Sequence, residues 1–532
     1  MKNWPTFSIR KRRPRRSFFA GRRTVRLALL TAATLLVAAC AGGPTLRDDA
    51  DALPRVESYA KPPATEGVLW RMADDIMREH GPEHSAFRLL DASYDALMAR
   101  LALIDSAVSS LDIQTYLWYP DNTGRLILER AVEAANRGVH VRMLVDDLLT
   151  VGLDQVIYEL EQHPNIEFRL FNPWQERGTL ARAGAMIAQM ERLNTRMHDK
   201  LLIADGNAAV VGGRNIGDHY FGLSHDYNFH DLDLLGFGHI ARQSNAMFDS
   251  FWNSEWVASV ANLDVEPDPE FAQRAWQQIR AKNRAAEELE PFGVEPADWT
   301  SVLARLKDEL HPGTSNLIYD EATADAVAQN VADQLFGLLG MAQEELLITN
   351  AYVIPGQPAI DFTRKLTERG VRVCILTNSL ASHDVPAVNS HYKGWRDDFI
   401  EAGVELYELR ADAAIKSLVD VPPVSGGFVG LHTKAFVVDR EYAFVGSMNF
   451  DPRSFAINTE AGAFIHSPGL AADLARVMER DMAPENAWQV LLDDKGEPYW
   501  VNSDETVYRQ PARTGSQRVM DAIFRMFPKE QF

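Results

Sequence analysis

One pattern of residues occurs twice in this chain, and the two copies are separated by a constant distance. Each copy is a His-x-Lys-x4-Asp motif that is followed by a Gly-x-x-Asn turn. The motif residues are His198, Lys200, Asp205 and Asn215 in the first copy, and His432, Lys434, Asp439 and Asn449 in the second. Every residue of the second copy follows its counterpart by 234 positions. A duplication as regular as this predicts two repeats of one fold that contribute to a shared site.

The chemistry of the motif suits an anionic substrate. The four residues between Lys and Asp are apolar in both copies, which predicts a buried strand that directs His and Lys to one face. The ammonium group can neutralise a phosphate, and the imidazole can attack it or transfer a proton. The Gly-x-x-Asn turn can bring backbone N–H groups and an amide to the same anion. We count Asp205 and Asp439 with the catalytic motif and expect them to tie its turns in place.

These paired motifs make the chain similar to the phospholipase D superfamily, and the surrounding sequence resembles its bacterial cardiolipin synthase branch, in particular the C-like group. The closer resemblance rests on four segments: RLNTRMHDKLLIADGNAAVVGGRNIGDHYFG, DLDLL, FDSFWNS and GVELYELR. It covers most of the chain after about residue 66. The resemblance implies transfer of a phosphatidyl group to phosphatidylglycerol, which yields cardiolipin, and it allows phosphatidylethanolamine as the donor.

The resemblance also implies roles for the residues of the motifs. One histidine attacks the lipid phosphorus and forms a phosphohistidine, while the other protonates the leaving alcohol. The two lysines, with Asn215, Asn449 and Ser447, stabilise the transition state. The first copy has Gly213 in place of the serine, so a backbone N–H or Arg214 is expected to make the missing phosphate contact. Because the lysines supply the charge that a metal would supply, we expect neither a metal nor another cofactor.

A carboxylate that orients the catalytic histidine is expected on the strand after each motif, again from the resemblance. Aligning these two strands pairs Asp233 with Glu460. The alignment predicts that Asp233 orients His198 and that Glu460 orients His432, with Asp231 as an alternative partner of His198.

His198 is predicted to be the nucleophile and His432 the general acid. Arg196 and Arg214 flank the first motif and would lower the pKa of His198, which favours a neutral imidazole. Glu460 would raise the pKa of His432 and keep a proton ready for the leaving group. The resemblance favours the same assignment.

A strand, a helix and a second strand precede each motif, and this order predicts βαβ units. We therefore expect an α/β fold of two phospholipase D-type βαβ sandwich repeats, each with a largely parallel sheet. A pseudo-two-fold should relate the repeats and place the active site at their interface. The predicted parts are a signal peptide at 1–39, a linker at 40–65, the first repeat at 66–262, a helical connector at 263–312, the second repeat at 313–480, and a C-terminal hairpin and amphipathic helix at 481–532. The last helix is expected either at a membrane interface or packed on the domain.

The first 39 residues are typical of an export signal. Ten Lys/Arg and no Asp/Glu lie in residues 1–26, and an apolar run from 27 to 39 follows. Val37-Ala38-Ala39-Cys40 resembles a bacterial lipobox, which implies cleavage before Cys40 and acylation of its thiol. This places the protein in the cell envelope, lipid-anchored to a membrane and facing the periplasm. An uncleaved anchor or a misplaced start codon are the competing interpretations.

The charge of the chain limits its partners. The formal net charge is −20, and it is near −30 without the ten basic residues of the signal, so the surface would repel nucleic acid. Phospholipid substrates and a membrane surface are the expected partners, since a local basic funnel can still attract an anionic lipid. Two alternatives to the transferase remain: a phosphodiesterase that hydrolyses phospholipids (a nuclease being the less favoured form), and a non-catalytic lipid-binding lipoprotein. The sequence gives no oligomeric state.

Overall fold

A computed structural model describes residues 45–46, 56–150, 152–175, 177, 193–323 and 327–525. The predicted signal peptide and the predicted lipidation site, Cys40, lie outside these residues. Within them, none of the helices is both long enough and apolar enough to cross a membrane.

The first repeat is a mixed β-sheet with helices against its faces. Its elements are α1 (Gly67–His80), β1 (His84–Leu90), α2 (Ser93–Ser106), β2 (Ser110–Thr115), α3 (Asn122–Asn136), β3 (His140–Asp146), α4 (Asp154–Glu161), β4 (Ile166–Phe171), β5 (Leu201–Ala204), β6 (Ala208–Gly212), β7 (Asn228–His230), β8 (Asp233–Gly238), α5 (His239–Trp252) and β9 (Val257–Ser259). The strands lie in the order β9-β4-β3-β2-β5-β6-β8-β1. Strands β2, β3 and β4 are parallel, and the other neighbours are antiparallel.

A connector with helices α6 (Pro269–Ala285) and α7 (Thr300–Leu306) leads to a second repeat of the same design. Its elements are β10 (His311–Tyr319), β11 (Glu321–Ala322), β12 (Val327–Ala328), α8 (Asn330–Leu339), β13 (Glu345–Asn350), α9 (Gln357–Glu368), β14 (Arg372–Asn378), α10 (Pro386–Tyr392), α11 (Arg396–Glu401), β15 (Glu405–Leu409), α12 (Lys416–Val419), β16 (Val429–Leu431), β17 (Lys434–Val438), β18 (Tyr442–Gly446), α13 (Pro452–Ala456), β19 (Ala461–His466), α14 (Pro468–Met482), β20 (Ala487–Leu492), β21 (Pro498–Val501), β22 (Thr506–Val507) and α15 (Gly515–Phe524). The main sheet runs β10-β19-β18-β17-β13-β14-β15-β20-β21-β22.

The two sheets join into one. Strand β1 pairs antiparallel with β10, which gives a continuous sheet of eighteen strands, and corresponding strands follow in the same order on both sides of this seam. A second contact pairs β7 of the first repeat with β16 of the second. Both repeats also share one apolar cluster, to which α5 contributes Phe248 and Trp252 and α14 contributes Leu470 and Leu474. The predicted α/β class with two repeats about a pseudo-two-fold is confirmed.

The expectation of largely parallel sheets is wrong. In each repeat only three strands of the main sheet run parallel: β2, β3 and β4 in the first and β13, β14 and β15 in the second. The motif itself causes the difference, because each motif strand begins a hairpin (β5–β6 and β17–β18) and lies antiparallel to the first strand of the βαβ unit.

The aspartates of the motifs close these hairpins, as expected. Asp205 and Asp439 adopt left-handed backbone conformations, with φ of 57° and 51°. The Asp205 carboxylate accepts backbone N–H groups at 2.7 to 3.1 Å, and the Asp439 carboxylate does so at 2.9 to 3.2 Å. The donors are Val108, Ser109 and Ser110 for the first, and Gln343, Glu344 and Glu345 for the second. Each carboxylate ties its motif turn to the segment that enters the neighbouring strand.

The C-terminal part contains the predicted hairpin, formed by β20 and β21, and the predicted helix, α15. Helix α15 packs on the domain through its polar side: Lys393 pairs with Asp521, and Gln517 is buried. Its apolar residues Val519, Met520 and Ile523 are exposed. The helix therefore combines features of both expectations, because it is packed on the domain and yet presents apolar side chains outward.

We predict that Asp205→Ala lowers the free energy of unfolding by about 3–5 kcal/mol, because it removes several charge-assisted hydrogen bonds and places alanine at a positive φ. Asp439→Ala should cost about 1–2 kcal/mol, because that carboxylate is partly exposed and water can replace it. Urea unfolding of both variants measures the difference. Equal and small losses of stability, together with loss of activity, would instead assign these aspartates to catalysis.

Candidate active site

The two motif histidines are held by the backbone of the opposite repeat. The His198 N–H donates to the Thr459 carbonyl at 3.0 Å, and the His432 N–H donates to the His230 carbonyl at 2.8 Å. Both imidazoles are buried, with 7% and 5% of the residue exposed. The motifs of the two repeats are thereby brought to one site at the interface.

The two motif lysines lie in the same buried region. The ammonium groups of Lys200 and Lys434 donate to the carbonyls of His198 and His432, respectively. Burial and the Lys434 ammonium lower the pKa of Lys200 to about 7, against the opposing effect of Glu460. Burial also lowers the pKa of Lys434 to about 8. An anion bound between these groups would reverse both shifts, because an opposite charge favours the protonated amine.

Each histidine is paired with a carboxylate from the other repeat, and the pairing is crossed relative to the prediction. His198 Nδ1 lies 2.9 and 3.1 Å from the Glu460 oxygens, and His432 Nδ1 lies 2.6 Å from Asp231 Oδ2. The expectations that Glu460 orients His432 and that Asp233 orients His198 are wrong.

The error has two sources, because the prediction pairs each carboxylate with the histidine of its own repeat and aligns the two strands in the wrong register. In the sheet, Gly212 pairs with Asp233 and Gly446 pairs with Gly462, so Asp233 corresponds to Gly462. Asp231 therefore corresponds to Glu460, and the predicted register was shifted by two residues. A shift of two keeps the side chains on the same face of the strand, so the apolar pattern could not reveal it.

Asp233 has a structural role in the described contacts. Its Oδ2 atom lies 2.9 Å from the Arg100 guanidinium and 3.1 Å from that of Arg214. Arg214 also donates to the carbonyls of Leu90 and Asp91. It is 1% exposed and its donors are committed to the protein, so the prediction that it binds the substrate phosphate is wrong.

The hydroxyl of Ser447 is also committed. Ser447 Oγ donates to Glu460 and accepts the Ala461 N–H, and Ser454 Oγ donates to the other oxygen of Glu460 at 2.6 Å. The predicted phosphate contact through this hydroxyl is therefore wrong. In the first repeat a Cβ atom at Gly213 would lie 2.3 Å from Asp231 Oδ1, so that position has no room for a serine.

The two asparagines of the turns differ in their surroundings. Asn215 Nδ2 donates to the Tyr220 hydroxyl at 2.8 Å, and its Oδ1 accepts the Leu117 N–H at 3.2 Å. Asn449 Oδ1 is buried and meets no hydrogen-bond donor in the described part of the chain. Asn449 is thus the asparagine that still has a free hydrogen-bonding atom.

The two histidines differ in their electrostatic surroundings. Burial, Lys200 and Lys434 hold the pKa of His198 well below its usual value. Burial and Lys434 also lower the pKa of His432, but Asp231 opposes them. Burial raises the pKa of Glu460 to about 7, whereas His432 brings the pKa of Asp231 below its usual value despite burial. At neutral pH His432 therefore faces the more fully ionised carboxylate.

The lowered pKa of His198 has the predicted direction but different causes, and the prediction that the pKa of His432 is raised is wrong, because burial and Lys434 outweigh Asp231. Arg196 pairs with Asp146 at 3.2 Å and Arg214 pairs with Asp233, and neither is among the main causes of the lowered pKa of His198. The carboxylate that opposes the lowering of the His432 pKa is Asp231 rather than Glu460.

Several aromatic and acidic residues of the site were missed by the sequence reasoning. The Tyr116 and Tyr220 rings lie edge-on to His198 and His432, respectively, each with 5.2 Å between ring centroids. The Tyr352 hydroxyl donates to Asp384, whose side chain is 15% exposed. Tyr116 directly follows β2 at its carboxyl end, where ligands of α/β sheets commonly bind, and this position could have identified it.

No group of three or more His, Cys, Asp or Glu side chains in the described residues is arranged to hold a metal ion.

Comparisons with known proteins agree with this geometry. The family model "Cardiolipin synthase, PLD-like domain" matches residues 101–252 and 335–482, together more than half of the chain. Cardiolipin synthase C of Escherichia coli K12 is 35% identical over 456 residues, which is 83% of this chain and 94% of that protein. Cardiolipin synthase B of the same strain is 22% identical over 76% of this chain and 85% of its own length. The crystal structure of phosphatidylserine synthase from Haemophilus influenzae Rd KW20 shares the fold, with a TM-score of 0.52, 15% identity, and coverage of 78% of this chain and 91% of that one.

We predict that Asp231→Asn lowers the pKa of His432, because it removes the carboxylate that raises this pKa. Glu460→Gln should change the pKa of His198 less, because a carboxyl with a pKa of about 7 is only partly ionised at neutral pH. Titration of the imidazole signals by NMR measures both shifts, with the exposed Asp412→Asn as the control. An unchanged His432 titration in Asp231→Asn would refute the crossed pairing.

Proposed function

The chain belongs to the cardiolipin synthase branch of the phospholipase D superfamily and is a phosphatidyltransferase, and from this premise we propose that it makes cardiolipin from phosphatidylglycerol and a second phospholipid. The observation that carries the proposal is the buried site to which each repeat contributes a histidine and a lysine. Each repeat also contributes a carboxylate that contacts the histidine of the other repeat. Two imidazoles can serve as nucleophile and general acid, and two ammonium groups can stabilise the charge that a metal would otherwise stabilise.

The proposed reaction has two steps. In the first, His198 Nε2 attacks the donor phosphorus, the bond from phosphorus to the headgroup oxygen breaks, and His432 gives its proton to the leaving alcohol. In the second, a hydroxyl of phosphatidylglycerol attacks the phosphohistidine, His432 takes its proton, and the P–N bond breaks. Lys200 and Lys434 stabilise the charge on the phosphoryl oxygens in both steps.

The assignment of His198 as nucleophile is supported by electrostatics. A nucleophile must be neutral, and the pKa of His198 lies well below its usual value. A general acid must hold a proton before the first step; burial and Lys434 lower the pKa of His432 as well, but Asp231 opposes them, so His432 holds a proton more readily than His198 does.

We further propose phosphatidylethanolamine as a donor. Asp384 accepts a hydrogen bond from Tyr352, whose ring lies 6.4 Å from that of His432, the residue proposed to protonate the leaving alcohol. Burial would raise the pKa of Asp384, but hydrogen bonds from His383 and Tyr352 bring it below its usual value. An ionised carboxylate at this place would attract the ammonium of ethanolamine.

The predicted envelope location is also part of the proposal. A lipid anchor at Cys40 would hold the enzyme at a membrane surface that contains its substrates, and the outward apolar residues of α15 suit the same surface.

The first test uses purified protein and vesicles of phosphatidylglycerol with and without phosphatidylethanolamine. We expect cardiolipin to form, EDTA to leave the rate largely intact, and His198→Ala and His432→Ala each to lower the rate at least about a thousandfold. His311→Ala, which removes a partly exposed histidine paired with Asp473, is the matched control. Phosphatidic acid as the only product would show hydrolysis instead, and substantial activity in either active-site variant would exclude the two-histidine mechanism.

The second test identifies the nucleophile. In His432→Asn the leaving group and the incoming alcohol lose their proton donor and acceptor, so a phosphatidyl adduct should accumulate on His198. Acid-quenched samples with labelled lipid and peptide mass spectrometry locate the adduct, most clearly with a donor that has a good leaving group. An adduct on His432 in the unmodified enzyme would reverse the assignment.

A further inference from the structure

A cavity of about 350 Å³ separates the connector helix α6 from helices α3 and α4 of the first repeat. Its wall is mostly apolar and includes Leu128, Val145, Ile157, Phe168, Phe271 and Ile279. The volume lies within the range of about 300–1,000 Å³ that is typical of ligand pockets. The cavity opens to solvent, and contact between its apolar side chains and water is unfavourable, so an apolar ligand that covers them would be stabilised.

Helix α6 is firmly attached on both sides of this gap. At its start the Asp268 N–H donates to Glu159 Oε1 at 2.6 Å. At its end Asn283 is buried and donates to Glu129 Oε2 at 2.7 Å, and Arg280 pairs with the same glutamate at 3.4 Å. The cavity therefore lies under the middle of an anchored helix and does not result from a helix that has detached.

The side of α6 that lines the cavity carries two stripes. Phe271, Ala275 and Ile279 recur every four residues and form an apolar stripe. Arg274, Gln278 and Lys282 form a polar stripe next to it. The Arg274 side chain is 58% exposed and Lys282 is exposed, so cationic groups lie at the solvent edge of an apolar interior.

The wall of the cavity is connected to the catalytic site through the residues that follow β2. Trp118 lines the cavity, and it follows Leu117, whose N–H donates to the Asn215 side chain at 3.2 Å. One residue earlier, the Tyr116 ring lies against His198. The strand end that contacts the first motif thus continues directly into the cavity wall.

We propose that this cavity binds an acyl chain of the phospholipid whose phosphate His198 attacks. The inference rests on the proposed function and deepens it, because it gives the connector a part in substrate binding. The apolar interior matches a hydrocarbon chain, and the cationic edge matches an anionic lipid surface. Such a wall has few polar groups that could hold several ordered waters, so a hydrocarbon chain is a more favourable occupant than water.

The kinetic test fills the cavity. Ala275→Trp places a large ring on the lining stripe, and Gln273→Trp places the same ring on the exposed side of the helix as a control. In mixed micelles with a constant amount of phosphatidylglycerol as the acceptor, kcat/KM for turnover of the donor is compared between dioctanoyl and dipalmitoyl phosphatidylethanolamine. Burial of each methylene is worth up to about fourfold, so Ala275→Trp should lower the long-chain value at least about tenfold and leave the short-chain value nearly unchanged. Equal effects on both chain lengths, or none, would overturn the proposal.

A binding test does not depend on turnover. Phosphatidylethanolamine with a terminal diazirine on one acyl chain is photolysed with the His198→Ala variant, and labelled peptides are mapped by mass spectrometry. We expect label on α4 and α6, competed by dipalmitoyl but not by dioctanoyl phosphatidylethanolamine, and lost when Ala275→Trp is added. Label that is absent from these helices would overturn the acyl-chain site. Absence of donor turnover in the unmodified enzyme, with label still on α4 and α6, would refute the proposed function alone.

Discussion

Two ammonium groups buried within electrostatic reach of each other set the conditions for the whole site. Lys200 and Lys434 lose most of their hydration, and each lowers the pKa of a neighbouring cationic or imidazole group. Such an arrangement is unfavourable in an empty site and favourable once an anion lies between the charges. Glu460 and Asp231 offset part of the repulsion, and they do so while also contacting the histidines. The charge that disfavours the empty site is the charge that would bind a phosphate.

The site depends on exchange between the repeats. Each motif histidine receives both a backbone contact and a carboxylate from the opposite half, and the seam between β1 and β10 continues one sheet through the molecule. The apolar cluster shared by α5 and α14 fixes the halves further. The separation of the two histidines is therefore determined by a continuous sheet and a common core rather than by a hinge between independent domains.

Much of the fold and of the active site could be predicted from the sequence, because the two motifs have the same internal spacing and a constant offset along the chain. The constant offset between the motifs indicates the repeats, the shared site and the residues His198, Lys200, His432 and Lys434, and the apolar run inside each motif indicates its strand. The structural role of the motif aspartates follows from their position after that strand.

The remaining contacts depend on information that spacing does not carry. Asp231 and Asp233 lie two residues apart on the same strand face, so only the ladder register shows which one corresponds to Glu460. Arg214 lies beside the motif in the sequence, but its partners lie on other elements. They are Asp233, which also pairs with Arg100, and the carbonyl of Leu90. The glycine at position 213, where the second repeat has Ser447, is explained only by the contact that a side chain there would make with Asp231.

Because each carboxylate contacts the histidine of the other repeat, the active site of a newly synthesised chain depends on the folding of both repeats. A chain that has folded only its first repeat possesses His198 and Lys200, but it lacks Glu460, the second histidine and the second lysine. Such a half-finished molecule lacks half of the groups on which the proposed transfer depends. The site is complete only when the segment that enters β19 has reached it, so folding of the second repeat itself assembles the active site.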